Sequence, residues 1–359
     1  MILDEHLCCP TVSVVMCTYN GEKFLRQQLD SILAQTYPIS EIIIQDNEST
    51  DGTMTILQEY ALTYPIIHIF SHARYTNIEP NDDPIRQIVN DNFYSAIGRA
   101  TSDYIVISDQ DDIWVNTKIE EQIHAIGDNW CCFHYSPTFS TEPNYGFTDN
   151  RSYNYGLERM LFAGVIVGHS MLICKSLYCE LMQQVHPDTL HQIKNTAFYD
   201  TIISCVALAY NKVIFIPKAL SFHRTHTNNA SSSKTIRRDI SQRTVMNAIR
   251  LVLRNLNPKQ HKLLTPLVRR RMTCIGLLLD CFPDAPTQYT REAYQMIHIY
   301  TDKHVPFRYI RFIHWAIRNR NKIFHAAERN QIEAILRAIF LPITACDAFM
   351  GDYERLQHK

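Results

Sequence analysis

Tyr104-Ile-Val-Ile-Ser-Asp-Gln-Asp-Asp-Ile-Trp114 decides how this chain is understood: a short apolar run leads straight into three carboxylates within four positions. A β-branched run of this length predicts a buried strand. Asp109, Asp111 and Asp112 then stand at its carboxyl end. Crowding like charges is unfavourable unless a cation or a donor-rich ligand offsets the repulsion. The pattern points to a hard divalent ion, Mg2+ or Mn2+, shared between carboxylates and the phosphates of a nucleotide. A solvated acidic turn is the alternative. The strand before the cluster and Ile113-Trp114 after it weigh against that, because exposed acidic turns are seldom framed by large apolar groups.

Upstream, further strands are followed by polar turns, with no internal repeat in the sequence. Thr11-Val-Ser-Val-Val-Met-Cys17 predicts a strand, Thr18-Tyr-Asn-Gly21 a turn, and Phe24, Leu25, Leu29, Ile32 and Leu33 recur at helical spacing up to Tyr37-Pro38. Glu41-Ile-Ile-Ile-Gln45 predicts a second strand running into Asp46, followed by a helix from Thr53 to about Tyr64. A third strand is expected at 66–71 and a further helix at 90–99. Strands alternating with helices predict an α/β fold with a mostly parallel, Rossmann-like sheet covered on both faces, its ligands at the carboxyl ends of the strands. Thr18, Asp46 and Asp109 each occupy such an end. Asp46 reads either as an acceptor for a nucleotide base or ribose or as part of a helix-capping turn with Ser49-Thr-Asp51. Further on, the chain predicts irregular loops over 133–155, a helix at 177–185, a helix at 202–209 and a strand at 212–216. Beyond residue 233 it predicts only helices.

The bulk numbers bound the function. With 359 residues, 46% hydrophobic and 20% charged, the chain has an ordinary globular composition, and 10 glycines and 15 prolines leave no room for a long low-complexity linker. Its 11 cysteines are scattered and lack the spacing of a zinc site, so free thiols in a reducing cytosol are expected. No run reaches the roughly 20 apolar residues that a membrane span needs. The net charge of −1 hides a division: residues 1–230 carry 13 Lys/Arg and 26 Asp/Glu, and residues 231–359 carry 22 and 10. Such an asymmetry predicts two units with different partners.

Four ordered segments carry a resemblance: residues 14–25, 28–37, 49–53 and 103–114, the last ending Ser-Asp-Gln-Asp-Asp-Ile-Trp. They look like the family-two inverting glycosyltransferases of the GT-A fold, and most resemble the rhamnosyltransferase-like members. The resemblance covers about residues 11–230. It implies a catalytic domain at 1–230, with a nucleotide-binding half at about 11–115 and an acceptor half at about 116–230, followed by a basic helical extension at 231–359. It also implies a metal at an Asp-x-Asp motif and inversion of the sugar carbon by direct displacement. Carried over by position, Thr18 and Tyr19 line the base pocket and Asp46 contacts base or ribose. Asp109 contacts ribose or metal, Asp111 ligates the metal, and Asp112 and Trp114 support the loop. Phe198-Tyr-Asp200 resembles the segment that holds the general base, so Asp200 is the candidate catalytic residue; a helix N-cap is its alternative reading. In His223-Arg-Thr-His226, the resemblance gives Arg224 a donor phosphate and His226 a place in the metal shell. Gly168 lies where the family has a glycine-led wall of the acceptor pocket. Asn47 and Glu48 depart from the family's usual Asp and Gly.

The implied activity is transfer of a sugar from a dTDP- or UDP-sugar, dTDP-rhamnose among them, to a glycan or lipid-linked acceptor in surface polysaccharide synthesis. Two alternatives compete. A nucleotidyltransferase forming sugar nucleotides would show a glycine-rich basic loop after the first strand, whereas 18–21 offers one glycine. A non-enzymatic membrane or nucleic-acid-binding protein led by the basic tail would need its acidic half not to repel phosphate, so nucleic acid is not an expected partner. Within the tail, Arg308, Arg311, Trp315, Arg318 and Lys322 are expected on one helical face, with Ile310, Ile313, Ile317 and Phe324 opposite. Such a face either rests peripherally on anionic lipid at the inner side of the cytoplasmic membrane or is simply solvated.

Overall fold

A computed structural model describes residues 9–72, 83–146, 156–162, 166–226, 258–302, 304–324 and 330–344. The first half alternates as expected: β1 (Val12–Thr18), α1 (Leu25–Leu33), β2 (Glu41–Asp46), α2 (Thr53–Thr63), β3 (Ile67–Ser71), α3 (Pro84–Arg99) and β4 (Tyr104–Ser108). There follow β5 (Ile113–Trp114), α4 (Lys118–Ile126), β6 (Cys131–Tyr135), β7 (Thr138–Phe139), α5 (Leu157–Met160), β8 (Leu172–Cys174), α6 (Lys175–Gln184), α7 (Pro187–Lys194), α8 (Tyr199–Ala209), β9 (Val213–Ala219) and β10 (Ser221–Arg224). The tail contributes α9 (Pro258–Asp280), α10 (Thr287–Thr301), α11 (Arg308–Arg318), α12 (Arg320–Ile323) and α13 (Gln331–Thr344).

Seven strands form one sheet in the order β3-β2-β1-β4-β8-β6-β9. All its pairings are parallel except those of β8, which runs antiparallel to β4 and β6. Thr18 sits opposite Asp46 in the ladder and Met16 opposite Ser108, so the carboxyl ends of β1, β2 and β4 are level. That register brings Thr18, Asp46 and the acidic loop to one edge. A second sheet, β5-β10-β7, stands beside it. Its pairing of Ser221 with Trp114 and Phe222 with Ile113 lays the end of β10 against the acidic loop.

Both faces of the main sheet are buried, as parallel strands require. Val14, Met16, Ile42, Ile44 and Val106 pack against α1, α2 and α4. Val15, Ile43, Ile105 and Ile107 point the other way, into a core shared with α3, α8 and the tail residues Met272, Ile275, Met296, Phe312 and Trp315. The helical tail thus completes one face of the sheet's core. Among the described residues no helix is long and apolar enough to cross a membrane.

Three local expectations change. The helix expected from residue 90 begins at Pro84, because Asp83 Oδ1 accepts the Arg86 N–H and Pro84 suits the first turn. The stretch from 133 begins inside a strand, β6, and α7 precedes α8 where no helix was expected. In the tail, Trp315 is buried with Phe312 and Ala316, and its indole N–H donates to the Glu292 carbonyl, so it does not belong to an exposed basic face. Ile310, expected on the packed side, is 65% exposed.

Candidate active site

The acidic loop is closed from across the fold by β10 and the residues after it. Asp112, fully buried, accepts the Arg224 backbone N–H and a bond from His223 Nδ1 through Oδ1, both at 3.0 Å. Asp111 Oδ2 lies 2.6 Å from His226 Nε2. The Arg224 guanidinium donates to the Asp111 carbonyl and to Gln27 Oε1, wedged between the rings of Phe24 and Phe139 at 4.5 Å from each. Arg224 therefore braces the loop from inside. Asp109 turns to the opposite wall, where its Oδ2 lies 3.2 Å from His169 Nδ1.

Beneath the loop, Lys118 is wholly buried. Its Nζ donates to the His169 carbonyl at 2.9 Å and lies 3.5 Å from the centre of the Trp114 ring. Burial pushes the Lys118 amine well below its usual range, against the pull of Asp112 and Asp109. Burial also raises Asp111, to about 6, with Asp109 and Asp112 adding like-charge repulsion that His226 only partly offsets. Burial lowers His223, but its hydrogen bond to Asp112 and the neighbouring carboxylates outweigh that and carry it to about 9. Asp109 is raised by burial, yet His169, His223 and Lys118 bring it net below the usual carboxylate range.

The loops after β1 and β2 are knitted together. Thr18 donates its hydroxyl to Asp46 Oδ1 at 2.8 Å, and the Ser49 hydroxyl and N–H fill the rest of that carboxylate. Both Thr18 and Asp46 are buried, whereas Tyr19 remains 37% exposed. Gln110, from within the acidic motif, exchanges two hydrogen bonds with the Tyr19 backbone. Asn20 and Glu48 adopt positive φ, an uncommon backbone for such residues that concentrates at functional loops.

Across the site, Asp200 lies in the first turn of α8, and the N-cap position belongs to Phe198. Its oxygens accept the N–H groups of Thr201, at 2.6 Å, and Gly168, at 3.3 Å. Burial lifts its pKa and Asp109 adds to the effect, while the two N–H donors resist; the net direction is upward. Gly168 has no room for a side chain: a Cβ there would lie 1.9 Å from the Tyr199 hydroxyl.

All the residues singled out from sequence are thus drawn around one site, but His169, His223, Lys118 and Gln110 were given no role in it. Their partners lie up to 111 residues away, and an isolated histidine carries no local signal of such a contact. The residues present fit a cation. Asp109, Asp112, His169 and His223 each offer a ligand atom within 4.8 Å of the others, Asp111 and His226 form a second pair, and the buried Asp112 Oδ2 has no hydrogen-bond partner.

Together, a mostly parallel sheet, polar loops at its carboxyl edge and a carboxylate–histidine centre define an α/β protein with one concentrated polar site. Residues 13–178 match the Glycosyl transferase family 2 domain. The dTDP-rhamnosyl transferase RfbG of Shigella flexneri is 39% identical over 114 residues, 31% of this chain and 36% of that protein. The UDP-Glc:alpha-D-GlcNAc-diphosphoundecaprenol beta-1,3-glucosyltransferase WfgD of Escherichia coli is 27% identical over 157 residues, 42% of this chain and 50% of that one. The chain thus spans a third to a half of the length of these curated relatives. Among solved structures, S. aureus TarS 1-349 in complex with UDP gives a TM-score of 0.49 at 12% identity, covering 97% of this chain and 92% of that one. The mannosyltransferase PcManGT from Pyrobaculum calidifontis, in complex with GDP-Man and Mn2+, gives 0.49 at 16% identity, covering 98% and 88%.

Proposed function

We propose that this chain is a metal-dependent inverting glycosyltransferase that moves a sugar from a dTDP- or UDP-sugar to a glycan or lipid-linked acceptor in surface polysaccharide synthesis. The observation that carries the reading is Asp111 against His226, beside two further carboxylates. Asp111 is a group whose surroundings resist its charge, and a cation would relieve that resistance. Asp111, His226 and Asp109 would hold Mn2+ or Mg2+, with Asp109-Gln110-Asp111 as the Asp-x-Asp motif. When bound, the ion offsets the charge of the departing nucleoside diphosphate.

The chain's own groups do the rest. Tyr19, with Thr18 and Asp46 behind it, lines the base and ribose site. Arg224 fixes the Asp111 backbone next to the diphosphate. Asp200 takes the acceptor hydroxyl proton as that oxygen attacks the anomeric carbon, and one base suffices once the leaving group is stabilised. Its oxygens are aimed by Gly168 and Thr201. Such support places a base without occupying all of its lone pairs.

The dTDP-rhamnosyl and diphosphoundecaprenol substrates in the two relatives' names favour dTDP-rhamnose as donor and a lipid-linked acceptor. Residues 1–230 would be the catalytic domain and 231–359 an extension resting on the inner face of the cytoplasmic membrane. Exposed Phe307, Tyr309 and Ile310 beside Arg311 support that contact. The test is donor turnover across a panel of nucleotide sugars with and without Mn2+. Metal-dependent turnover lost in Asp111→Asn is expected; no metal-dependent turnover with any donor overturns the reading.

A further inference from the structure

Gln110 stands between Asp109 and Asp111, yet its side chain serves another loop. Its Oε1 accepts the Tyr19 N–H at 2.9 Å and its Nε2 donates to the Tyr19 carbonyl at 3.0 Å, so across 91 residues of chain one amide pairs with Tyr19 much as a neighbouring strand would. Gly21 is fitted around the same amide: a Cβ there would lie 2.4 Å from Oε1, 2.7 Å from Cδ and 3.3 Å from Nε2. The acidic loop has anchors of its own. Arg224 holds the Asp111 carbonyl, His223 and the Arg224 N–H hold Asp112, and Asp109 meets His169. In the loop after β1, Asn20 and Gly21 donate their N–H groups to Ser49 and Thr53, and Asn20 Oδ1 accepts the Thr50 N–H. Those contacts secure the turn, and the amide of Gln110 secures the residue before it, Tyr19, which is 37% exposed at the edge of the site.

We infer that Gln110 is a positioning residue for the nucleotide base: braced by the anchored acidic loop, its amide holds the Tyr19 backbone and so sets the Tyr19 ring against the base, an assignment that rests on the donor site proposed above. The anchors give the effect a direction. Without the Gln110 amide the acidic loop keeps its contacts to Arg224, His223 and His169, whereas Tyr19 loses two hydrogen bonds. Gln110 therefore governs recognition of the nucleoside and leaves the cation and the diphosphate largely alone. A primary amide suits this task because it presents an acceptor and a donor side by side. Glutamate of the same length would accept the Tyr19 N–H but set a charge against the Tyr19 carbonyl, and asparagine is one methylene too short to reach both. Loss of two neutral hydrogen bonds behind the base predicts nucleotide binding weaker by about tenfold. Gly21→Ala should act in the same way, since its methyl group would push the amide off Tyr19.

The experiment is calorimetric titration of the purified full chain with UDP and with dTDP in the presence of Mn2+, beside a titration with Mn2+ and inorganic pyrophosphate, which carries no base. Gln110→Ala should weaken both nucleotides by about tenfold and pyrophosphate by less than about twofold. In a Tyr19→Ala background the same change should cost less than about twofold, because the ring it positions is gone. Circular dichroism accompanies each variant; if Gln110→Ala does not fold, Gln110→Asn and Gly21→Ala make the same perturbation. Pyrophosphate weakened as much as the nucleotides would mark a loop that has lost its shape and overturns the inference. So does a loss that persists undiminished in Tyr19→Ala, and that cycle decides alone should pyrophosphate not bind the wild type. Nucleotide bound equally by wild type and Gln110→Ala overturns the inference and leaves the proposed function standing. No nucleotide bound by wild type overturns the proposed function, and the role of Gln110 with it.

Discussion

Gly168→Ala tests whether Gly168 and Asp200, the proposed acceptor wall and proposed base, are one rigid unit. A Cβ at 168 would meet the Tyr199 Oη at 1.9 Å, Cζ at 2.7 Å and Cε2 at 3.1 Å, where ordinary contact begins at 3.4 Å. The shortfall is about 1.5 Å, and Tyr199 cannot swing aside as a lysine would, being buried and stacked on Phe93 at 4.1 Å. Overpacking of this kind costs about 1–3 kcal/mol of stability. Tyr199 and Asp200 are consecutive in the first turn of α8, and the Gly168 N–H is itself a donor to Asp200. Any shift that relieves the clash therefore moves the base. A displacement near 1 Å costs about 100-fold in rate, so kcat should fall by about that much while KM for the donor changes little. Tyr199→Phe removes the nearest atom and leaves the ring carbon at 2.7 Å, halving the shortfall to about 0.7 Å. The double variant should recover part of both losses. The assays are steady-state transfer kinetics and urea unfolding of the two singles and the double. Unchanged kcat and stability in Gly168→Ala, or strictly additive effects in the cycle, would refute a packed coupling between 168 and 199.

Other expectations follow from single contacts. Asp111→Asn should lower kcat/KM by more than the 10–100-fold that loss of an outer-shell partner costs, measured at saturating Mn2+; a smaller loss would move the donor ion elsewhere. Because burial raises the Asp200 pKa and a base acts only when deprotonated, activity should be lost as pH falls through a value above the ordinary carboxylate pKa of about 3.9. In a pH–rate profile, a limb at or below that value would remove Asp200 from the role. Trp315→Ala should cost about 3–5 kcal/mol in urea unfolding, while Arg311→Ala stays within about 0.5 kcal/mol, since Trp315 is core and Arg311 is exposed. Phe307 combines a φ of 52° with 76% exposure; Phe307→Ser with Arg311→Glu should reduce sedimentation with anionic vesicles, and unchanged binding would exclude this surface as the membrane contact.

What was legible in the sequence was local. Strands β1, β2 and β4 announce themselves as β-branched runs, and parallel register brings the polar residue ending each to one edge of the sheet. The tail shows the limit of that logic. Positions 308, 311, 315 and 318 share α11, with Lys322 beyond its end in α12, yet Phe312 and Ala316 beside Trp315 decide which side of α11 meets the core. Periodicity locates a stripe; large apolar volume chooses its partner. The capping contact that starts α3 at Pro84 was local too, but only the Asp83 hydrogen bond distinguishes it from a loop.

The acidic loop shows why the remaining half of the site was not legible. Three carboxylates in four residues demand compensation, and the fold supplies it one to one: Asp109 meets His169, Asp112 meets His223 and Asp111 meets His226. The first histidine arrives on the turn before β8 and the other two through β10, whose pairing with β5 spans about a hundred residues of chain. No local pattern encodes those matches, since each depends on strand order. The three pairs are also unequal. His169, His223 and Lys118 together bring Asp109 below the usual carboxylate range despite its burial, so its charge is accommodated within the protein. Asp111 remains raised to about 6 with its histidine in contact, so its charge is not. The unmet negative charge of the loop is therefore concentrated at Asp111, the carboxylate to which the proposed function assigns the cation of a nucleotide sugar.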